Sequence, residues 1–153
     1  MASKHPLKIF ISYAYGDRAK AQKLHAYLVA QGTDPWLDTE NLLPGQDWKM
    51  EIAKALDGTD LILLCLSQSS VTREGYVQKE MRLALDRALE IPPGEIFLIP
   101  CRFEDVEMPH SLRDYQWVDL YAESGRKKLL KSLGLRAERI GAAPLSADGS
   151  SAS

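Results

Sequence analysis

Apolar positions along this chain alternate between two periods. "LKIFIS" (7–12) is a short apolar run rich in β-formers, and "DLILLCLS" (60–67) is a continuous apolar run bounded by polar residues. Both predict buried strands, the second at the centre of a parallel sheet. "EIFLIPC" (95–101) and the shorter "QWVDL" (116–120) predict two more, and "PWL" (35–37) an edge strand that tolerates its proline. Between them the period changes to that of helices. Residues 17–31 place Ala21, Leu24, Leu28 and Val29 on one face, with Asp17 as N-cap and Gly32 at the far end. Further helices are expected at 48–56, 75–90 and 123–134, that at 75–90 stopped by Pro92 and Pro93. Strands alternating with helices predict one α/β domain, a flavodoxin-like parallel sheet of five strands covered on both faces.

That domain is expected over residues 7–141, after a short tail at 1–6. "AAPLSADGSSAS" (142–153) is small and polar, and is expected to be a flexible tail or linker. Composition changes little in this picture. Hydrophobic residues make up 45% and charged residues 26% of the chain, as in an ordinary globular domain. A formal net charge of −2 argues against direct nucleic-acid binding. No apolar run reaches the length of a membrane span, and "MASKHPLKIF" lacks a signal-peptide core, so a cytoplasmic location is expected. Cys65 and Cys101 sit in apolar runs and read as buried, reduced thiols. His5, His25 and His110 have no metal-ligand spacing, and no phosphate-binding glycine loop is present, so neither a metal nor a bound cofactor is expected.

Ligands of an open parallel sheet bind beyond the carboxyl ends of its strands. The residues expected at that rim are Ser12, Tyr13 and Tyr15 after the first strand, 38–47 after the second and 67–74 after the third. "GYVQKEMRLAL" (75–85) opens the third expected helix at the same rim. On a helix the neighbours of Glu80 are Tyr76, Val77, Leu83 and Ala84, none of them a cation. At about 100° per residue, Glu80 falls roughly 80° from the apolar stripe of Val77, Met81, Ala84, Leu85 and Ala88, while Lys79 and Arg82 point away. A border carboxylate of this kind is either an ordinary solvated side chain, paired with a distant cation, or a functional group.

Several stretches together resemble the Toll/interleukin-receptor (TIR) domain family. "KIFISYAYGD" (8–17) resembles its first strand and following loop, and "PWLDTENLLPGQDW" (35–48) its second strand and the long BB loop. "DLILLCLSQSS" (60–70) resembles its central strand, and "GYVQKEMRLAL" the helix that carries the catalytic glutamate of its enzymatic members. The resemblance spans residue 7 to about 133. It implies an NAD+ glycohydrolase that splits the nicotinamide–ribose bond, giving nicotinamide and ADP-ribose or a cyclic isomer, in prokaryotic immune signalling. NAD+ is then the substrate, with no separate cofactor.

By the same resemblance Glu80 is the catalytic carboxylate. Tyr76 stands where enzymatic members usually have tryptophan, keeping a stackable ring. Ser12 and Tyr13 match the family's first loop, near the nucleotide, and Tyr15 adds an aromatic wall. Asp38 either contacts substrate or caps the loop, Trp48 is either a ligand shelf or a helix-start residue packed on the core, and Ser67 either bonds the ribose or a phosphate or closes the strand end. The resemblance further implies self-association through a BB loop whose apolar tip is Leu42, Leu43, Pro44 and Gly45, and a fused or associated sensor domain as partner. The rival readings are a non-catalytic TIR–TIR assembly or adaptor module and a base-exchanging nucleoside transferase.

Overall fold

The computed structural model describes residues 4–72, 75, 77–92 and 95–146, and for Glu80 the backbone alone. Five parallel strands, β1 (Lys8–Ser12), β2 (Asp34–Trp36), β3 (Leu61–Leu66), β4 (Leu98–Arg102) and β5 (Val118–Asp119), form one sheet in the order β2-β1-β3-β4-β5. This is the doubly wound order of flavodoxin-like folds, which reverses between β1 and β3. Every residue of β3 is buried, as its unbroken apolar run demands. Side chains alternate between the sheet faces. Ile9, Ile11, Leu61, Leu63, Cys65 and Cys101 belong to one core, and Phe10, Ile62, Leu64, Leu66 and Leu98 to the other.

The first core is covered by α1 (Arg18–Ala30) and α5 (Glu123–Ile140), which bury Ala21, Leu24 and Leu28 and Leu129, Leu133 and Ala137. The second is covered by α3 (Trp48–Gly58) and α4 (Arg82–Leu89) through Leu56, Ala84, Leu85 and Ala88. Cys65 and Cys101 are register partners on adjacent strands, both free thiols, and burial pushes both pKa values up. Among the described residues no helix is long and apolar enough to cross a membrane.

Several local expectations are corrected. Val29 is 51% exposed rather than packed with Leu28. Asp17 makes no cap. It ends a 3-10 turn (Tyr15–Asp17) and is buried, where its carboxylate accepts the Ser67 hydroxyl. Gly32 does terminate α1, with φ +86° and the Thr33 N–H returning to the Leu28 carbonyl at 3.2 Å. The expected loop at 38–47 begins with a single helical turn, α2 (Asp38–Asn41). α5 runs to Ile140, six residues past Gly134, because Ala137 continues the buried row of Leu129 and Leu133. The tail does not begin at Ala142: that residue is buried in the first core, the Ala143 N–H donates to the His5 carbonyl at 2.8 Å, and the Ser146 N–H to Gln31 at 2.6 Å. Residues 147–153 lie outside the described ones.

The largest correction concerns the third expected helix. Val71 and Val77 pair as an antiparallel bridge, Gln78 is extended (φ −56°, ψ 151°), and only then does a 3-10 turn (Lys79–Met81) lead into α4. Gly75 has φ +89°, a conformation no continuing helix contains. The helix therefore starts four to seven residues later than its apolar stripe suggests.

Candidate functional site at the carboxyl rim

β1 ends at Ser12 and delivers Tyr13 to the rim between β2 and β3. Tyr13 is buried, and its hydroxyl donates to Asp38 Oδ1 at 2.6 Å. Burial first, and then the Asp38 carboxylate, push the Tyr13 phenol well above its ordinary pKa, against the opposing influence of Arg18. Tyr13 is therefore a permanent donor to Asp38. The same Asp38 oxygen accepts the Thr39 N–H at 2.7 Å, so one carboxylate closes α2 and fixes the loop after β1. Asp38 thus bonds within its own turn and also lines the cavity.

That cavity is about 670 Å³ in volume, within the usual range for small-molecule sites. Ser12, Tyr13 and Tyr15 line it from the end of β1, Trp36 and Asp38 from the end of β2, and Trp48 and Lys49 from the start of α3. Trp36 stacks on Phe10 with ring centroids 5.0 Å apart and an 8° interplanar angle, which ties the cavity wall to the second core. Trp48 corrects the core-packing expectation. It is 53% exposed over the cavity, and the Lys49 ammonium lies 5.6 Å from its ring centroid. Asp47 caps α3 by accepting from the Lys49 and Met50 N–H groups, which sets the direction in which both residues leave the helix.

Lys79 also lines the cavity, where a helix starting at 75 sends it outward. The extended Gln78 and the 3-10 turn reset the phase, so the helical angle counted for Glu80 from the apolar stripe no longer applies. Glu80 is the middle residue of that turn, immediately after Lys79; its side chain is not among those described. Tyr76 lies outside the described residues. Lys49, Lys79 and Trp36 are among the lining residues that sequence reasoning missed. Gly75 and the valines flanking it at 71 and 77 were the available signal for Lys79.

Ser67 is a correction. It is buried and does not line the cavity; its hydroxyl donates to Asp17 and accepts the Ser69 N–H at 3.2 Å. It ties the loop after β3 to the turn after β1. The BB loop forms a turn in which the Gln46 N–H donates to the Leu43 carbonyl at 3.1 Å, with Pro44 and Gly45 (φ +90°) at its centre. Leu43 is 63% exposed at the tip, while Leu42 is half-buried. Among the described residues no group of three or more His, Cys, Asp or Glu is placed to hold a metal ion.

Comparisons with known proteins agree with this geometry. A Toll-related receptor TIR domain from Hydra magnipapillata superposes with a TM-score of 0.67 at 17% identity, covering 82% of this chain and 96% of the other. A TIR-STING receptor from C. gigas, solved in complex with 2′,3′-cGAMP, superposes with a TM-score of 0.66 at 19% identity, covering 87% of this chain and 41% of that one. At such identities the likeness is one of fold. An uncharacterized protein, y4cD, of Sinorhizobium fredii (strain NBRC 101917 / NGR234) is 30% identical over 108 residues, which cover 69% of this chain and only 17% of that protein. Residues 9–131 match the TIR domain sequence profile, so this chain belongs to the TIR domain family.

Proposed function

We propose that this TIR domain hydrolyses NAD+ at the nicotinamide–ribose bond, with Glu80 as the carboxylate that faces the ribose. TIR domains include both NAD-cleaving enzymes and non-catalytic adaptors. One observation carries the choice: aromatic rings, two ammonium groups and the turn bearing Glu80 converge on a single cavity at the carboxyl rim. Tyr15 and Trp48 offer exposed ring faces for stacking, and Lys49 and Lys79 offer positive charge to a diphosphate.

The chemistry needs only one carboxylate. In NAD+ the nicotinamide is already a cationic pyridinium. When the bond from its nitrogen to ribose C1′ breaks, the electron pair stays on nitrogen and nicotinamide leaves neutral. No general acid is required, unlike at an ordinary glycosidic oxygen. The ribose becomes oxocarbenium-like, and an ionised Glu80 stabilises it electrostatically, or bonds C1′ as a nucleophile. Water then bonds to C1′ and loses a proton, giving ADP-ribose; attack by an adenine nitrogen instead gives the cyclic isomer. We assign this activity to prokaryotic immune signalling in the cytoplasm, with a fused or associated sensor domain as the trigger. The test is chromatography of nicotinamide released from NAD+ by the concentrated protein.

The exposed Leu43 favours a second reading, a non-catalytic assembly module. TIR domains generally self-associate through TIR–TIR contacts. If assembly also completes the enzyme site, specific activity rises steeply with concentration across a dilution series, and Leu43→Asp flattens and lowers it. Self-association without nicotinamide release at any concentration supports the assembly module alone.

A further inference from the structure

A second cavity, of about 400 Å³, opens at the same rim but on the other sheet face, between α1 and α5. Its floor is apolar and partly aromatic: Leu24, Tyr27, Phe103, Leu120 and Leu129. Its rim carries Lys20, Lys23 and Arg126, and no carboxylate is among its described lining residues. The three cations are held differently. Lys20 pairs with Glu104 at 3.2 Å, and the Glu104 carboxylate is itself fixed by the Gln68 N–H at 3.1 Å. Arg126 Nη1 donates to the Leu120 carbonyl at 2.9 Å, which orients the guanidinium at the mouth. Lys23 makes no ion pair or hydrogen bond among the described residues, and is exposed.

Burial raises the Tyr27 phenol while the charge of Arg126 opposes it, so ring and guanidinium share one mouth. Tyr121 completes the rim with a ring that is 48% exposed. An apolar floor with aromatic walls selects a flat apolar body, and a rim on which Lys23 and Arg126 have no ion pair among the described residues selects an acid group attached to it. A neutral ligand of the same shape leaves the Lys23 ammonium unused, and a purely ionic one leaves the floor wet.

We propose that the cavity between α1 and α5 binds a small aromatic carboxylate, its ring against Tyr27 and Phe103 and its carboxylate between Lys23 and Arg126. This site is separate from the cavity beside Glu80 and does not depend on NAD+ cleavage. The test is a titration of the isotope-labelled protein with 2-naphthoate, followed by amide chemical shifts. The expected result is saturable shifts centred on Leu24, Tyr27, Phe103 and Leu120, with a Kd of about a millimolar or tighter for a ligand of this size. Excess NAD+ does not displace the probe. Lys23→Gln weakens binding about tenfold, the neutral 2-naphthol binds similarly more weakly, and Lys131→Gln, elsewhere on α5, changes nothing. Lys23 is exposed and unpaired, so its variant keeps the fold, which the unperturbed spectrum verifies. Shifts that do not saturate, that centre on Tyr13 and Trp48, or that are equal for the acid and 2-naphthol overturn the proposal.

Discussion

Two cavities of the carboxyl rim, the one beside Glu80 and the one between α1 and α5, make an instructive pair. Both are walled by aromatic rings and edged by cations, and each is lined by residues of two helices on one sheet face. The larger one, under α3 and α4, is bordered by the turn that carries Glu80 and has Asp38 in its wall. The smaller one, under α1 and α5, has no carboxylate among its described lining residues. Rings and cations are enough to hold a flat anion, whereas stabilising a developing cation needs a negative group aimed at it. On the proposed function, that difference would separate a cavity for chemistry from one for binding.

The sharpest way to break this contrast is to remove the charge. Glu80→Gln should lower nicotinamide release by a factor on the order of a hundred or more, with the melting temperature unchanged. Equal turnover in the variant would remove the distinction between the cavities. Next in size is the loss of phosphate contacts. Lys79→Gln and Lys49→Gln should each raise KM for NAD+ about tenfold, and leave turnover of nicotinamide riboside, which has no phosphate, unaltered. An equal effect on both substrates would mean that these lysines do not read the diphosphate.

Ser67→Ala separates site from support. It leaves the buried Asp17 carboxylate without its hydroxyl donor, so it should cost about 1–3 kcal/mol in denaturant unfolding while KM stays near the parent value. A large rise in KM with full stability would restore Ser67 to the substrate site. The smallest effect is one of pH. The Arg102 guanidinium, hydrogen-bonded to Asp119 at 2.6 Å, holds that carboxyl below its ordinary 3.8. A depressed folded-state pKa means stability that is present above the unfolded value and lost as pH falls through the folded one. Thermal stability should therefore decline from about pH 4 downward, and Asp119→Asn should flatten part of that slope.

The sheet was legible because its signal is long and redundant. An all-apolar β3, the alternating faces of β1 and the helical periods of α1 and α5 each point to the same layers. The site was legible only in part. Ser12, Tyr13, Tyr15 and Asp38 follow from the rule that ligands meet the strand carboxyl ends, Trp48 follows from the family resemblance, and all five line one cavity. Lys79 was misread because its direction depends on where a helix begins. An apolar stripe runs straight across an extended residue and a 3-10 turn without marking them. Ser67 and Asp17 were misread for another reason. A serine after a strand looks the same in sequence whether its hydroxyl meets a ligand or a buried aspartate fifty residues away, and only packing decides. The lysines at 20 and 23 gave no signal, since two exposed cations on a helix become a rim only beside Phe103 and Leu120.

The central claim is that this domain consumes NAD+. Its most direct test is to incubate the concentrated protein with NAD+, with and without a crowding agent, and to follow nicotinamide by chromatography. The account predicts nicotinamide appearing in step with NAD+ loss, together with ADP-ribose or its cyclic isomer. NAD+ that remains intact at every protein concentration, in samples shown to be folded and self-associated, would contradict it.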